Sequence, residues 1–189
     1  MAATLAKSDL TLAILAGGRG RRLGGVAKGL LTVGGVALID RALGLRALCA
    51  DAMIVSADPA YEAAGVRRVA DLVPGHGAPG GVVTALLCAS TPWVLVVACD
   101  MPFVTLEAAR ALLEVGGRQS VTCFTRGGAL EPLLGIYAAS LGPRWRAQLP
   151  VNPALRALVA QTSPHTLEPS NARWLDSINT PAQLAAVKS

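Results

Sequence analysis

Apolar residues are distributed along this chain in two ways. Some form short, nearly continuous runs, such as LTLAILA at 10–16 and WVLVVA at 93–98. Runs of that length between turn residues mark strands buried on both faces. AMIVSA at 52–57, VRRVA at 66–70 and VTCFT at 121–125 are expected to be strands as well. Between these runs, helical spacing occupies 37–49, 80–89 and 106–114, with Thr105 as the N-cap of the last. The back third is less regular. Residues 129–140 suggest a turn, a strand and the start of a helix, and 141–161 suggest two short helices broken at LPVNP. The tail predicts a final helix with Thr180 as cap and Pro181 at its first position.

Strand, helix, strand, helix is the order of an α/β sheet, mainly parallel, with helices on both faces. No repeat, low-complexity tract or linker interrupts it, so residues 1–189 are expected to form a single domain. Ligands of such sheets gather at the carboxyl ends of the strands. Two segments are thereby singled out: LAGGRGRRLGGVAK at 15–28, and Cys99-Asp100-Met101-Pro102.

Composition narrows the choice of partner. The net charge is +5, and Arg19, Arg21, Arg22 and Lys28 concentrate much of it in one loop. A nucleic-acid surface would interleave basic stripes with aromatics, but the chain has only two Phe, two Tyr and three Trp. A pocket for a small anion is the better reading. The longest apolar run falls far short of the roughly 20 residues that span a bilayer. The opening MAATLAKSDL is too polar for a secretory signal, so no membrane partner and a cytoplasmic location are expected. Four dispersed cysteines and two histidines offer no closely spaced ligand pairs, which argues for reduced thiols and against a structural metal.

The glycine-arginine loop departs from both familiar phosphate-binding patterns. A dinucleotide fingerprint needs glycine where Leu23 stands, although Gly24 leaves a looser GxGxxxG. A Walker loop needs Gly-Lys-Ser/Thr, whereas Ala27 precedes Lys28 and Gly29 follows it. A nucleoside triphosphate, with about four negative charges, suits this density of cations better than a pyrophosphate does. Gly17 and Gly18 would let the backbone approach the base and sugar, with Arg22 and Lys28 on the phosphates. Asp100, held at a strand end by Met-Pro, is placed to hold Mg²⁺ against phosphate oxygens.

LAGGRGRRLGGVAKGLL, VADLVPGHGAPGG, VVACDMPFV, EPLLGIY and SINTPAQL, in that order, resemble the molybdenum cofactor guanylyltransferase family over essentially the whole chain. The resemblance implies a Rossmann-like three-layer sandwich of the nucleotide-diphospho-sugar transferase type, with a mainly parallel central sheet. It also implies transfer of GMP from GTP to molybdopterin, usually carrying molybdenum, with release of pyrophosphate. Carried over by position, Leu15, Ala16, Gly17 and Gly18 would hold the nucleotide, and Arg22 and Lys28 its phosphates. Asp71 would contact the guanosine part, Asp100 would bind Mg²⁺, and Asn179 would help bind the pterin. The catalytic set is then Arg22, Lys28 and Asp100. Molybdoenzymes or their chaperones would collect the product.

Three departures from the family pattern stand out: Ala27 where Asp is common, Ser56 where Asn often helps with guanine, and Ser177 for the first Asn of NxNTP. The phosphate attacking in such a reaction is ionised near neutral pH and needs no general base, so His76 and His165 receive no role. EPLLGIY is expected to serve packing. Alternatives are CMP transfer to molybdopterin, guanylyl transfer to another phosphorylated metabolite, and a nucleotide-binding module without chemistry.

Overall fold

The computed structural model describes residues 5–17, 19–20 and 26–188. Its centre is a seven-stranded sheet built from β1 (Leu10–Leu15), β6 (Asp51–Val55), β7 (Arg67–Val69), β8 (Trp93–Ala98), β9 (Val121–Arg126), β10 (Ala129–Ala138) and β11 (His165–Leu167). Two small ribbons lie outside it. β2 (Arg19–Gly20) pairs with β3 (Val26–Ala27), and β4 (Thr32–Val33) pairs with β5 (Val36–Ala37). The helices are α1 (Leu38–Leu43), α2 (Gly77–Cys88), α3 (Leu106–Val115), α4 (Leu141–Gln148), α5 (Leu155–Ala160) and α6 (Pro181–Lys188).

The sheet order is β11-β9-β10-β8-β1-β6-β7. β1 lies parallel to both β6 and β8, β6 to β7, and β11 to β9, while β10 runs antiparallel to β8 and β9. After β1 the chain builds outward through β6 and β7, then returns to place β8 on the other side of β1. That reversal opens a crevice at the carboxyl ends of β1, β6 and β8, the place where open α/β sheets bind ligands.

Both faces of the sheet are covered, because both sets of alternating side chains in the central strands are apolar. Leu10, Leu12 and Ile14 of β1, Ile54 of β6, and Leu95 and Val97 of β8 pack with Ile39, Leu112 and Trp174. Ala13, Met53, Val94 and Val96 point the other way, to Val82, Val83, Trp145 and Leu158. Period-two alternation feeding two cores explains why the strands read as continuous hydrophobic runs.

Several boundaries differ from the sequence expectation. The helix expected over 37–49 is α1 followed by a 3₁₀ turn, Gly44–Leu48, because Gly44 ends the regular α-turns. Helix α2 starts three residues earlier than its apolar pattern, since a Gly-Ala-Pro opening hides it. Proline is tolerated in a first helical turn, whose N–H groups have no intrahelical partner. Thr105 caps α3 through a 3.2 Å bond from the Ala108 amide, as expected.

The larger correction concerns 129–140, where Ala129–Ala138 form one ten-residue strand and the helix begins only at Leu141. Its register shifts between Glu131 and Gly135, where Pro132 has no N–H for the ladder. The Tyr137 hydroxyl donates to the Pro132 carbonyl and closes the bulge. A Cβ on Gly135 would lie 2.9 Å from the Thr122 carbonyl, so glycine permits the close approach of β9. β11 at the sheet edge gave no sequence signal.

Candidate active site

A cavity of about 650 Å³ opens at the carboxyl ends of β1, β6 and β8. Backbone bonds tie these three strand ends together: Ala16 N–H donates to Val55 C=O, and Cys99 N–H donates to Leu15 C=O. The lining comes from the glycine-arginine loop, the Cys99-Asp100 strand end and the segments around Ser56 and Asp71. Leu15, Ala16 and Gly17 form one wall, Ser56 and Asp58 another, Asp71 and Gly75 a third, and Lys28 and Asp100 one end. Gly18 and Arg22 lie outside the described residues.

Lys28 and Asp100 meet although 72 positions separate them. Lys28 Nζ donates to Asp100 Oδ2 at 3.1 Å and to Asn179 Oδ1 at 2.6 Å. The two charged side chains are only 20% and 17% exposed. Asn179 arrives because Ile178 N–H donates to the Asp100 carbonyl at 2.9 Å, docking the INTP segment on the strand end. Its side chain is not a helix cap. α6 is capped by Thr180 and Gln183, each accepting from the other's backbone amide, and Gln183 also takes the Asn179 amide. The Asn179 amide nitrogen donates to Ser177 Oγ at 2.9 Å, so the serine that departs from the family pattern still orients this asparagine.

The lysine itself is held from below. Tyr61, on the 3₁₀ turn Pro59–Ala64, is fully buried, and its hydroxyl accepts the Gly29 amide at 3.0 Å. A Cβ on Gly29 would stand 2.9 Å from that ring, so only glycine lets the lysine loop settle on it. Nearby, the Cys99 thiol has its pKa raised to about 12, from burial first and then from the neighbouring Asp100 charge. Cys99 is therefore a neutral thiol beneath the site. Burial likewise raises Cys49 and Cys123 to about 12, and all four cysteines are free. Neither the lysine loop pattern nor the CDMP motif points to Tyr61, because the link is made across 32 residues and through a backbone amide.

Asp71 is fixed in the turn before α2. Its Oδ1 accepts from the Val73 amide at 3.0 Å and from Thr84 Oγ1 at 2.8 Å. Gly80 makes room for this turn, since a Cβ there would meet the Val73 carbonyl at 2.8 Å. Asp71 Oδ2 accepts no hydrogen bond from the described residues and is available to a ligand.

On the far side of Asp100 lies a smaller recess of about 140 Å³, lined by Met101, Glu131, Leu133, Leu175, Ser177 and Asn179. Leu133, thrust out by the β10 bulge, and Asp100 border both spaces. EPLLGIY thus packs the core with Leu134, Ile136 and Tyr137 while Leu133 and Glu131 reach the site. His76 and His165 line neither space.

The residues present fit a divalent cation that arrives with a nucleotide. Among the described residues no group of three or more His, Cys, Asp or Glu converges. Asp100 offers a single carboxylate, with Oδ1 accepting no hydrogen bond from the described residues. Mg²⁺ is commonly held by one or two carboxylates together with substrate phosphates.

Comparison with known proteins gives the family. Residues 12–166 match the MobA-like NTP transferase domain. The chain belongs to that family. It is 35% identical to a probable molybdenum cofactor guanylyltransferase of Chloroflexus aggregans, over 93% of this chain and 92% of that one. Its fold superimposes on molybdopterin-guanine dinucleotide biosynthesis protein A of Archaeoglobus fulgidus with a TM-score of 0.78 and 25% identity, covering 94% of this chain and 96% of that one. The fold alone is shared with 2-C-methyl-D-erythritol 4-phosphate cytidylyltransferase of Thermus thermophilus, at a TM-score of 0.70 and 19% identity over 93% and 96% of the two chains. The three-layer architecture with a mainly parallel sheet is thus that of the nucleotide-diphospho-sugar transferases, and the protein is a nucleotidyltransferase. Among the described residues no helix is long and apolar enough to cross a membrane.

Proposed function

We propose that this chain transfers GMP from GTP to molybdopterin, releasing pyrophosphate and forming the molybdopterin guanine dinucleotide. The observation that carries this reading is the meeting of Lys28, Asp100 and Asn179 on the boundary between two spaces. The larger space is sized for one nucleotide and the smaller lies beside it. Donor and acceptor placed on either side of Asp100 would bring the acceptor phosphate next to the donor's α-phosphorus.

A terminal phosphate oxygen of the pterin attacks the α-phosphorus. The new P–O bond forms as the bond from that phosphorus to the bridging oxygen breaks, and pyrophosphate leaves with the electron pair. Both reactants are anions, so the barrier is largely one of position and charge. Lys28 moves from Asp100 onto the phosphates and balances the charge that builds on the leaving group; Arg22, outside the described residues, would assist it. Leu15, Ala16 and Gly17 bring backbone close to the nucleoside, Gly18 (outside the described residues) would do the same, and Asp71 accepts from it. Asn179, released by Lys28, turns its amide to the pterin side. Asp100 would hold Mg²⁺, which supplies neutralisation of phosphate oxygens when bound. The reaction runs in the cytoplasm, and molybdoenzymes or their chaperones collect the product.

The test is incubation with molybdopterin, Mg²⁺ and GTP or CTP in parallel, with the product identified by mass and pyrophosphate measured. A guanine dinucleotide formed with stoichiometric pyrophosphate is expected. Preferential use of CTP, or nucleotide binding without pyrophosphate release, would overturn the assignment.

A further inference from the structure

Among the described residues that line the nucleotide cavity, six carry a polar or ionisable side chain: Lys28, Ser56, Asp58, Asp71, Cys99 and Asp100. Lys28 and Asp100 pair with each other, and Cys99 is buried, only 5% exposed. Three candidates remain, among the described residues, to read the base. Ser56 is spent within the protein: its hydroxyl donates to the Ala16 carbonyl at 3.1 Å and accepts the Asp58 amide at 3.1 Å. Asp71 has one oxygen already accepting two hydrogen bonds, so it offers a ligand Oδ2 alone.

Asp58 differs from both. Its Oδ1 accepts only the Ala60 amide at 3.0 Å, and its Oδ2 accepts nothing from the described residues. Each oxygen therefore retains a lone pair, and the carboxylate can accept two parallel hydrogen bonds. Guanine alone among the common bases places two donors, N1–H and the N2 amino group, side by side on its Watson–Crick edge. Adenine and cytosine present a ring-nitrogen lone pair there, which a carboxylate repels.

The residue is also held firmly for this task. Its amide is anchored on Ser56, the Ser56 carbonyl accepts from Arg68 at 3.2 Å, and Pro59 stiffens the next position. We propose that Asp58 is the guanine-specificity residue, accepting N1–H and N2–H, and that Ser56 acts as the buried post that sets it. The family's frequent asparagine is thus replaced by a serine-aspartate relay two residues long. This inference rests on GTP being the donor nucleotide.

The experiment measures equilibrium binding of GTP, ITP, ATP and CTP to the full chain in Mg²⁺, for wild type, Asp58→Asn, Asp58→Ala and Asp71→Ala. ITP keeps N1–H and lacks the N2 amino group. Wild type is expected to prefer GTP over ITP by about ten- to a hundredfold, the scale of a hydrogen bond to a charged group. Asp58→Asn keeps an oxygen for the Ala60 amide, retains ITP binding, and brings the GTP-to-ITP ratio to within about threefold. Asp58→Ala collapses the same ratio, whereas Asp71→Ala weakens both nucleotides equally and preserves it. A wild-type preference for GTP that survives both Asp58 changes overturns the role of Asp58 and leaves the donor assignment standing. A wild type that favours CTP or ATP overturns both.

Discussion

The two edges of the central sheet carry polar clusters of similar size and opposite character. At the amino edge, Thr91 Oγ1 donates to the Trp93 carbonyl and lies 2.8 Å from the buried Thr11 hydroxyl, which therefore donates to it. Ser90 donates to Asp51 at 2.8 Å, and Arg67 bonds both Asp51 and the Cys88 carbonyl. These groups satisfy one another. At the carboxyl edge, Asp58, Asp71 and Asp100 each keep an oxygen that the described residues leave free, and Lys28 is paired where a ligand would take it. Saturated polar groups fasten a fold, whereas groups with spare bonding capacity recognise something outside it.

Substitutions at the two edges should separate accordingly. The largest effect belongs to Asp100→Asn and Lys28→Ala, each expected to lower GMP transfer by about 10²- to 10³-fold at saturating GTP, with an unchanged circular dichroism spectrum. Turnover close to wild type in both would break the comparison, because the carboxyl edge would then be structural too. Next is Tyr61→Phe, which leaves the buried Gly29 amide without its acceptor at a cost of about 1–3 kcal/mol. Denaturant titration should show this loss. Turnover should fall more than KM rises, since Lys28 loses its seat while the base pocket is untouched.

Thr11→Val at the amino edge should cost about 1 kcal/mol of stability, with the turnover of the folded protein unchanged. A fall in turnover there would show that the two edges are coupled. The smallest effect is a pH dependence. Burial raises the Asp51 carboxyl, but hydrogen bonds from Ser90, Arg67 and the Ala52 amide outweigh it and leave the pKa lowered. A group with a folded pKa below its unfolded value stabilises above the unfolded value, about 3.9, and loses that contribution as pH falls through the folded one. The melting-temperature gap between wild type and Asp51→Asn should therefore be widest near neutrality and close below about pH 4.

Much of the sheet was legible because β1, β6 and β8 bury both faces, and such strands cannot hide among polar residues. β10 was misread because Pro132 and Gly135 look like breakers until β9 and β8 flank them and absorb the bulge. β11 was missed because three half-exposed residues carry no periodic signal. In the site, the lysine loop and CDMP announced themselves by residue types that are costly without a ligand. Tyr61 and Asp58 did not, since a lone tyrosine and a turn aspartate are ordinary in sequence.

By itself the sequence determined the α/β class, the strands of the centre, the capping of α6 and the two motifs that bear charge. Local propensity and side-chain alternation act over a few residues, and their record is written in neighbouring letters. Only the tertiary structure decided which carboxylates keep a free oxygen, that Asn179 completes the Lys28–Asp100 pair, and that Tyr61 seats the lysine loop. Those facts depend on which distant groups meet across 32, 72 or 151 positions of chain, and hydrogen bonds are short-ranged enough that contact alone settles them.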